Sequence, residues 1–380
     1  MILDKQITHR AHVSVRRCAG VFGALAVASG LIAAPATSAR NGGAGRIVME
    51  TVHSIGLEHT VTGESPERSV AIYLPPGYES AKKRYPVIYL LHGVGDTNDE
   101  WVGSKEDPRG DWETIASVMD HGITAGVLKE MIIVMPTEKT NLFGSFYTNS
   151  ITTGRWEDFT AQELVAFVDH KYRTLATAGS RGIAGHSMGG YGALMLGMKH
   201  PDVYSVAYGM NPALPGWGGD LTPLNPAYIE ATKAKSKEDI LPPTYVTGLI
   251  NLAQAFSPNP QKPPFYVDLP FKEADGKVVP AEPAFSEWEA HFLVNMVPKY
   301  RDSLVRLRGY RFDSGYEDDF RFIPVNTRVF STQLTTYGVD HVFEEYNGNH
   351  NNRMWGRTGR LHTEVLPYFS LLLDSESSPK

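Results

Sequence analysis

Short apolar runs recur along the chain, separated by stretches with helical periodicity. Ser69–Pro75, Tyr85–His92, Met131–Pro136, Arg181–Ser187, Ser205–Met210 and Gly309–Ser314 predict strands, several of them apolar enough to be buried on both faces. His341–Tyr346 is a further strand candidate. Asp158–Tyr172 places Leu164, Phe167, Val168 and Tyr172 on one face of a helix. Met188–His200, Asn326–Tyr337 and Thr358–Leu373 also read as helices. Strands alternating with helices predict an α/β fold whose mainly parallel sheet is covered on both faces.

One stretch breaks the pattern. Between Pro212 and Pro283, 72 residues hold 13 of the chain's 25 prolines. Tyr228, Tyr245, Phe256, Phe265, Tyr266 and Phe271 lie among them. Proline at that density does not suit central strands or helix interiors. The segment, with its margin an insertion of about 212–300, reads either as a lid over the strand ends or as an elaboration that packs on itself.

The first forty residues have a different character. Lys5, Arg10, Arg16 and Arg17 stand against the single acid Asp4, and the apolar stretch Cys18–Ala34 follows, then Pro35-Ala36-Thr37-Ser38-Ala39. A basic region, an apolar region and a small-residue cleavage site predict a secretory signal peptide over residues 1–39, cut after Ala36 or Ala39. The apolar stretch is short and rich in Gly and Ala for a membrane span. Arg16-Arg17 leaves twin-arginine export open as the route. The remaining chain, residues 40–380, is expected in the periplasm or outside the cell.

Composition narrows the chemistry. The net charge is −6, and removing residues 1–39 takes away +4 and −1, leaving −6 − 3 = −9. No basic run is present to bind nucleic acid. The single cysteine, Cys18, falls in the leader, so disulfides, cysteine-ligated metal centres and a cysteine nucleophile are excluded from the remainder. Asp96-Thr97-Asn98-Asp99-Glu100 has the acidic look of a calcium loop, but Trp101 stands where that loop needs glycine. No metal or organic cofactor is implied.

The sharpest local signal is Gly185-His186-Ser187-Met188-Gly189-Gly190, between a predicted strand and a predicted helix. G-x-S-x-G at such a turn holds a serine in a strained, exposed position, and the glycines let strand and helix approach closely. A serine nucleophile needs a base, and the base an orienting acid, in chain order Ser, Asp or Glu, His. Of His200, His291, His341, His350 and His362, the candidate base is His350, in the polar loop Asn347–Asn352 directly after a strand. The acid is expected at the exit of the preceding strand, where Glu317-Asp318-Asp319 supplies three carboxylates. Local reading does not separate Asp318 from Asp319. Leu90-Leu91-His92-Gly93-Val94-Gly95 is another strand ending in a glycine turn, and the backbone N–H groups of Val94 and Met188 are the natural oxyanion donors.

These residues, together with Phe146-Tyr147-Thr148-Asn149-Ser150, Tyr172-Arg173-Thr174, Tyr191-Gly192-Ala193 and Glu344–His350, resemble the putative-esterase family of α/β-hydrolases. That family includes feruloyl and acetyl-xylan esterases, tributyrin-type esterases, S-formylglutathione hydrolases and antigen-85 mycolyltransferases. The resemblance covers roughly residues 50–210 and 300–370. It implies an α/β-hydrolase fold, Ser187 as nucleophile and His350 as base. It selects Asp318 as the acid, three residues after the strand-exit Gly315, and puts Val94 and Met188 at the oxyanion positions. Trp355 matches an aromatic that could wall the cleft or belong to the core. Tyr147 and Asn149 either line the substrate site or only close their turn. Two departures stand out: the length of the proline-rich segment, and Met210-Asn211-Pro212 where a serine-glycine pair is common.

The expectation is an exported serine carboxylic-ester hydrolase acting on carbohydrate-linked feruloyl or acetyl esters, or on short-chain esters. An acyltransferase moving the acyl group to a sugar hydroxyl is the first alternative. A catalytically inactive secreted binding protein on the same scaffold is the second. The partners implied are ester substrates, small or polysaccharide-linked; neither nucleic acid nor, after leader removal, a membrane is expected.

Overall fold

A computed structural model describes residues 43–103, 113–241 and 243–376. The predicted leader lies outside the described residues. Among the described residues twelve strands form: β1 (Arg46–His53), β2 (Glu67–Leu74), β3 (Val87–Leu91), β4 (Ile132–Pro136), β5 (Asn149–Ser150), β6 (Gly154–Arg155), β7 (Arg181–His186), β8 (Val206–Met210), β9 (Phe271–Ala274), β10 (Lys277–Pro280), β11 (Gly309–Gly315) and β12 (Val342–Tyr346). Eight of them make one sheet in the order β1-β2-β4-β3-β7-β8-β11-β12. From β4 to β12 every neighbouring pair is parallel, while β1 pairs antiparallel with β2, and β2 antiparallel with β4. The central strands β3, β4, β7 and β8 are buried at every position, the burial that their unbroken apolar runs predict.

All seven predicted strands are present. β1 was not expected, because its sequence mixes Arg46, Glu50 and His53 with apolar residues. It lies at the sheet edge, half exposed, where charged side chains are tolerated and discourage further strand pairing.

Two hydrophobic layers sandwich the sheet. One gathers the helix Met188–Lys199 and the segment Leu164–Lys171 with much of the proline-rich region. The other gathers the helix Ile115–Thr124 and the C-terminal segments Leu361–Val365 and Leu366–Leu372. The helix Phe322–Thr336 starts four residues earlier than its periodicity suggests, since Pro324 sits in its first turn, where a missing N–H costs nothing.

The proline-rich segment is far from structureless. It carries the helices Ala227–Lys233 and Tyr245–Phe256, the β9–β10 hairpin and the helices Ala284–His291 and Leu293–Leu304. Pro226 and Pro283 stand immediately before helices and Pro280 ends the hairpin, whereas Pro298 lies inside the helix Leu293–Leu304. Phe256 and Phe292 are buried, and Phe256 packs edge-on or tilted against Phe146, Tyr191 and Trp288. Exposing either phenylalanine would cost about 1.5–3 kcal/mol. The segment therefore packs onto the main core.

Candidate active site

The chain turns sharply between β7 and the helix Met188–Lys199. Ser187 occupies that turn with φ +53° and ψ −116°, a backbone conformation that an L-residue adopts only when its surroundings enforce it. Ser187 N–H donates to Met210 C=O at 3.0 Å, and Ser187 C=O accepts from Ala213 N–H at 2.9 Å. The flanking glycines are sterically required. A Cβ on Gly189 would lie 2.2 Å from Leu91 O, and one on Gly185 would lie 2.3 Å from the Gly189 carbonyl.

His350 and Asp318 meet from two neighbouring strand exits. His350 Nδ1 donates to Asp318 Oδ2 at 2.8 Å, and Asp318 is fully buried. Glu317 and Asp319 on either side are exposed. The tertiary structure thus separates the carboxylates that local sequence reading left open. Asp318 Oδ1 accepts the Phe320 N–H at 2.8 Å, so both oxygens are held. Burial lowers the pKa of His350; the Asp318 hydrogen bond opposes this, and a charge on His186 reinforces it, leaving the imidazole below its ordinary value. A neutral imidazole with its Nδ1 proton on a carboxylate presents Nε2 as a base.

The loop that carries His350 is anchored by Asn211, part of the Met210-Asn211-Pro212 departure. Asn211 has φ +39°. Its Nδ2 donates to His350 C=O at 3.0 Å and to the Tyr346 hydroxyl at 2.7 Å, while its Oδ1 accepts Gly315 N–H at 2.7 Å. One side chain between β8, β11 and β12 therefore spans the exits that present the acid and the histidine.

The turn after β3 lies against the serine: a Cβ on Gly93 would be 3.5 Å from Ser187 Cβ. Around Gly144, the Met188 sulfur and the Val94 side chain come together. Among the described residues, neither the Val94 nor the Met188 N–H has a hydrogen-bond acceptor, so both amides are available to a ligand oxygen.

The three substrate-lining candidates are each held by contacts of their own. Tyr147 is fully buried and donates its hydroxyl to His92 C=O at 2.9 Å, bracing the β3 turn from behind. Trp355 is buried in the second core layer with its ring 5.4 Å from Trp101. Asn149 is bound to Asp158, its Nδ2 donating to Oδ1 at 3.1 Å and its Oδ1 accepting Asp158 N–H at 3.2 Å, so it closes a turn. Of the alternatives left open for Tyr147 and Trp355, both rings take buried positions, one bracing a turn and one in the core. The aromatic beside the histidine is Phe320, 40% exposed, with its ring 4.9 Å from that of His350 and 6.2 Å from that of Tyr245. Tyr245 and Asp220 come from the proline-rich segment. Asp220 accepts the Arg321 and Phe322 amides at 2.8 Å each, and Tyr245 donates its hydroxyl to Asp220. Sequence reading missed Phe320 because nothing local marks it.

Behind the β3 turn, His92 is neutral by construction: Nδ1 donates to Gly93 C=O and Nε2 accepts the Glu138 N–H, both at 2.8 Å. Burial pushes the Glu138 carboxyl up to about 8, against the opposing Thr160 hydrogen bond and the Arg68 charge. In the unfolded chain this group ionises near pH 4.3, as ordinary glutamates do. Between those values the folded state holds a proton that the unfolded state has lost, so stability falls as pH rises through the window. Glu138→Gln cannot ionise. Its urea midpoint is expected to gain on the wild type as pH goes from 5 to 8.5; a constant gap between the two proteins would refute the assignment.

Comparison with known proteins fits this geometry. The family described as Putative esterase matches residues 65–358. A Xylanibacter ruminicola endo-1,4-beta-xylanase/feruloyl esterase is 31% identical over 138 residues, covering 35% of this chain and 18% of that protein. An esterase of Mycobacterium tuberculosis is 32% identical over 135 residues, covering 34% of this chain and 26% of that protein. The chain thus spans about a quarter or less of the length of these relatives. Among solved structures, a ferulic acid esterase superposes with a TM-score of 0.59 at 22% identity, covering 87% of this chain and 99% of that one. An S-formylglutathione hydrolase from Agrobacterium tumefaciens gives 0.55 at 15% identity, covering 87% and 96%. The architecture shared with these two is the α/β-hydrolase fold.

Proposed function

The chain belongs to the putative-esterase family, and from that premise we propose that it is an exported serine carboxylic-ester hydrolase. The observation that carries the reading is the buried His350–Asp318 hydrogen bond beside a serine held at positive φ on a strand-to-helix turn. In this mechanism Ser187 Oγ attacks the ester carbonyl carbon as His350 Nε2 takes its proton. Asp318 holds the Nδ1 proton and stabilises the imidazolium. The Val94 and Met188 amides bind the oxyanion. Collapse of the tetrahedral intermediate breaks the bond to the alcohol oxygen, which receives the proton from His350. Water, deprotonated by the same histidine, then cleaves the acyl-serine ester and releases the carboxylic acid.

An aromatic acyl group is favoured by the Phe320–Tyr245 surface, which reaches from the proline-rich segment to the edge of His350. Ferulate esters on carbohydrate suit that surface, as they suit the relatives named for feruloyl ester cleavage. Export rests on the leader-like residues 1–39.

One experiment tests these points together. Protein collected from the exported fraction is N-terminally sequenced and given methyl ferulate and 4-nitrophenyl acetate side by side, with and without a sugar acceptor. A mature terminus after Ala36 or Ala39 and preferential ferulate hydrolysis are expected. Acetate cleavage alone would move the substrate to short-chain esters. Acyl-sugar as the main product would replace hydrolysis by transfer. Absence of any turnover, with no fluorophosphonate labelling of Ser187, would leave the inactive binding protein.

A further inference from the structure

The acidic run after the β3 turn, which resembles a calcium loop in sequence, sends Glu100 inward. Glu100 is 1% exposed and lies in the short helix Asp99–Val102. One of its oxygens, Oε2, accepts the Gly93 N–H at 2.7 Å. The other, Oε1, is 2.8 Å from His186 Nδ1. His186, also buried, directs its Nε2 at the His350 C=O, 3.0 Å away, and its ring lies 4.8 Å from that of His350. A second buried carboxylate–histidine pair therefore stands directly behind the first.

We infer that Glu100 and His186 are positioning residues for this reaction: a buried carboxylate–imidazolium pair that ties the Gly93–Val94 turn to the His350 loop and keeps a positive charge beside the His350 ring. The inference rests on the ester-hydrolase reading above. Both ring nitrogens of His186 face acceptor oxygens, and a neutral imidazole has only one N–H to give. Either the ring carries two protons, or Glu100 carries one. The Gly93 amide on Oε2 favours the carboxylate. Burial alone would lower His186, but the Glu100 charge and hydrogen bond, with Asp318 beyond, lift it above its ordinary value; burial alone would raise Glu100, and its bonds to His186 and Gly93 bring it below.

The placement has two consequences. Gly93 immediately precedes Val94, so the carboxylate sets the direction of an oxyanion amide. The same pair, with Asn211, fixes the backbone oxygen of the base. The groups facing His350 are Asp318, the His186 imidazolium and, farther off, Glu100. Among these the nearby positive charge disfavours a second proton on His350, so the base stays neutral to lower pH than it would beside a neutral ring. His92, the remaining nearby imidazole, is already neutral through its own hydrogen bonds.

Glu100→Gln separates charge from geometry. The glutamine oxygen still accepts the Gly93 N–H, its NH2 donates to Nδ1 of a neutral His186, and Nε2–H still reaches the His350 carbonyl. These three hydrogen bonds survive while the charge pair is lost. The expected result is an unchanged KM, a near-normal plateau rate, and an acid limb of the kcat/KM profile moved to higher pH. The loss is therefore seen at pH 5 and absent at pH 8. Glu100→Ala removes the tie as well, and its kcat is expected to fall roughly ten- to a hundredfold at pH 8 with KM little changed, the scale of a reacting group displaced by about 1 Å. A superimposable pH profile for Glu100→Gln would overturn the inference, even if Glu100→Ala fails to fold. Nitrogen-15 NMR of the histidine rings gives a readout independent of turnover. Two protonated nitrogens on His186 at pH 7 are expected, and a single one would refute the pair. Wild-type protein that hydrolyses no ester would take down the proposed function, and the NMR result would then still decide whether the charged pair exists.

Discussion

Ser187→Ala is expected to abolish ester hydrolysis, with a loss on the order of a million-fold in turnover, the scale for removing a serine nucleophile. The reason is local. With the hydroxyl gone, no side-chain oxygen remains at the turn to form the acyl bond, and His350 has no proton to accept. The backbone contacts of residue 187, to Met210, Tyr191 and Ala213, do not involve the side chain and persist in the variant. The loss should therefore appear in kcat while the unfolding midpoint stays near that of the wild type. Steady-state rates on the preferred ester, with fluorophosphonate labelling followed by intact mass, check both halves. Undiminished hydrolysis by the alanine variant would eliminate the serine mechanism.

Asp318→Asn is expected to lower kcat by about ten-thousandfold, the cost of presenting the wrong imidazole tautomer to the nucleophile. The surrounding hydrogen bonds dictate which way the new amide turns. Phe320 N–H donates to Oδ1, so the asparagine oxygen is held there and its NH2 faces His350 Nδ1. An NH2 donor at that point requires Nδ1 to be the acceptor and moves the ring proton to Nε2, the nitrogen that should accept the serine proton. Asp319→Asn is the control. That side chain is exposed, and its loss is expected to change kcat less than twofold. Equal and large losses in both variants would mean that the loop, rather than the Asp318 carboxylate, was being perturbed.

The contrast between these neighbouring aspartates shows how far sequence reading goes. The strand–turn–helix around Ser187 was legible because its requirements are short-range: an apolar run, glycines where any Cβ would strike Leu91 O or the Gly189 carbonyl, then helical periodicity. His350 was legible because a polar, glycine-containing loop follows a strand. Asp318 was found only through family resemblance, since three adjacent carboxylates look alike until one of them is buried. Glu100 was read only as part of an acidic run with the look of a calcium loop, and its inward turn depends on a histidine 86 residues away. For Tyr147 and Trp355 the sequence left cleft and interior both open, because aromatic identity does not report which side of a turn a ring occupies; both rings are buried.

The proline-rich segment divides in the same way. Proline density argued against central strands and helix interiors there, and Pro226, Pro280 and Pro283 do sit before helices and at the hairpin end, although Pro298 lies within a helix. It did not reveal that Phe256 would insert beside Tyr191 and Trp288, or that Asp220 would cap the amides of Arg321 and Phe322. By itself the sequence determined the alternating elements, the serine turn and the candidate histidine, because periodicity, glycine sterics and turn chemistry act between residues a few positions apart. Which acid serves the histidine, what holds the oxyanion turn and which aromatic faces the site were decided by the strand order β3-β7-β8-β11-β12. That order brings side chains from distant segments within hydrogen-bonding reach, and such contacts leave no mark on the local pattern of the chain.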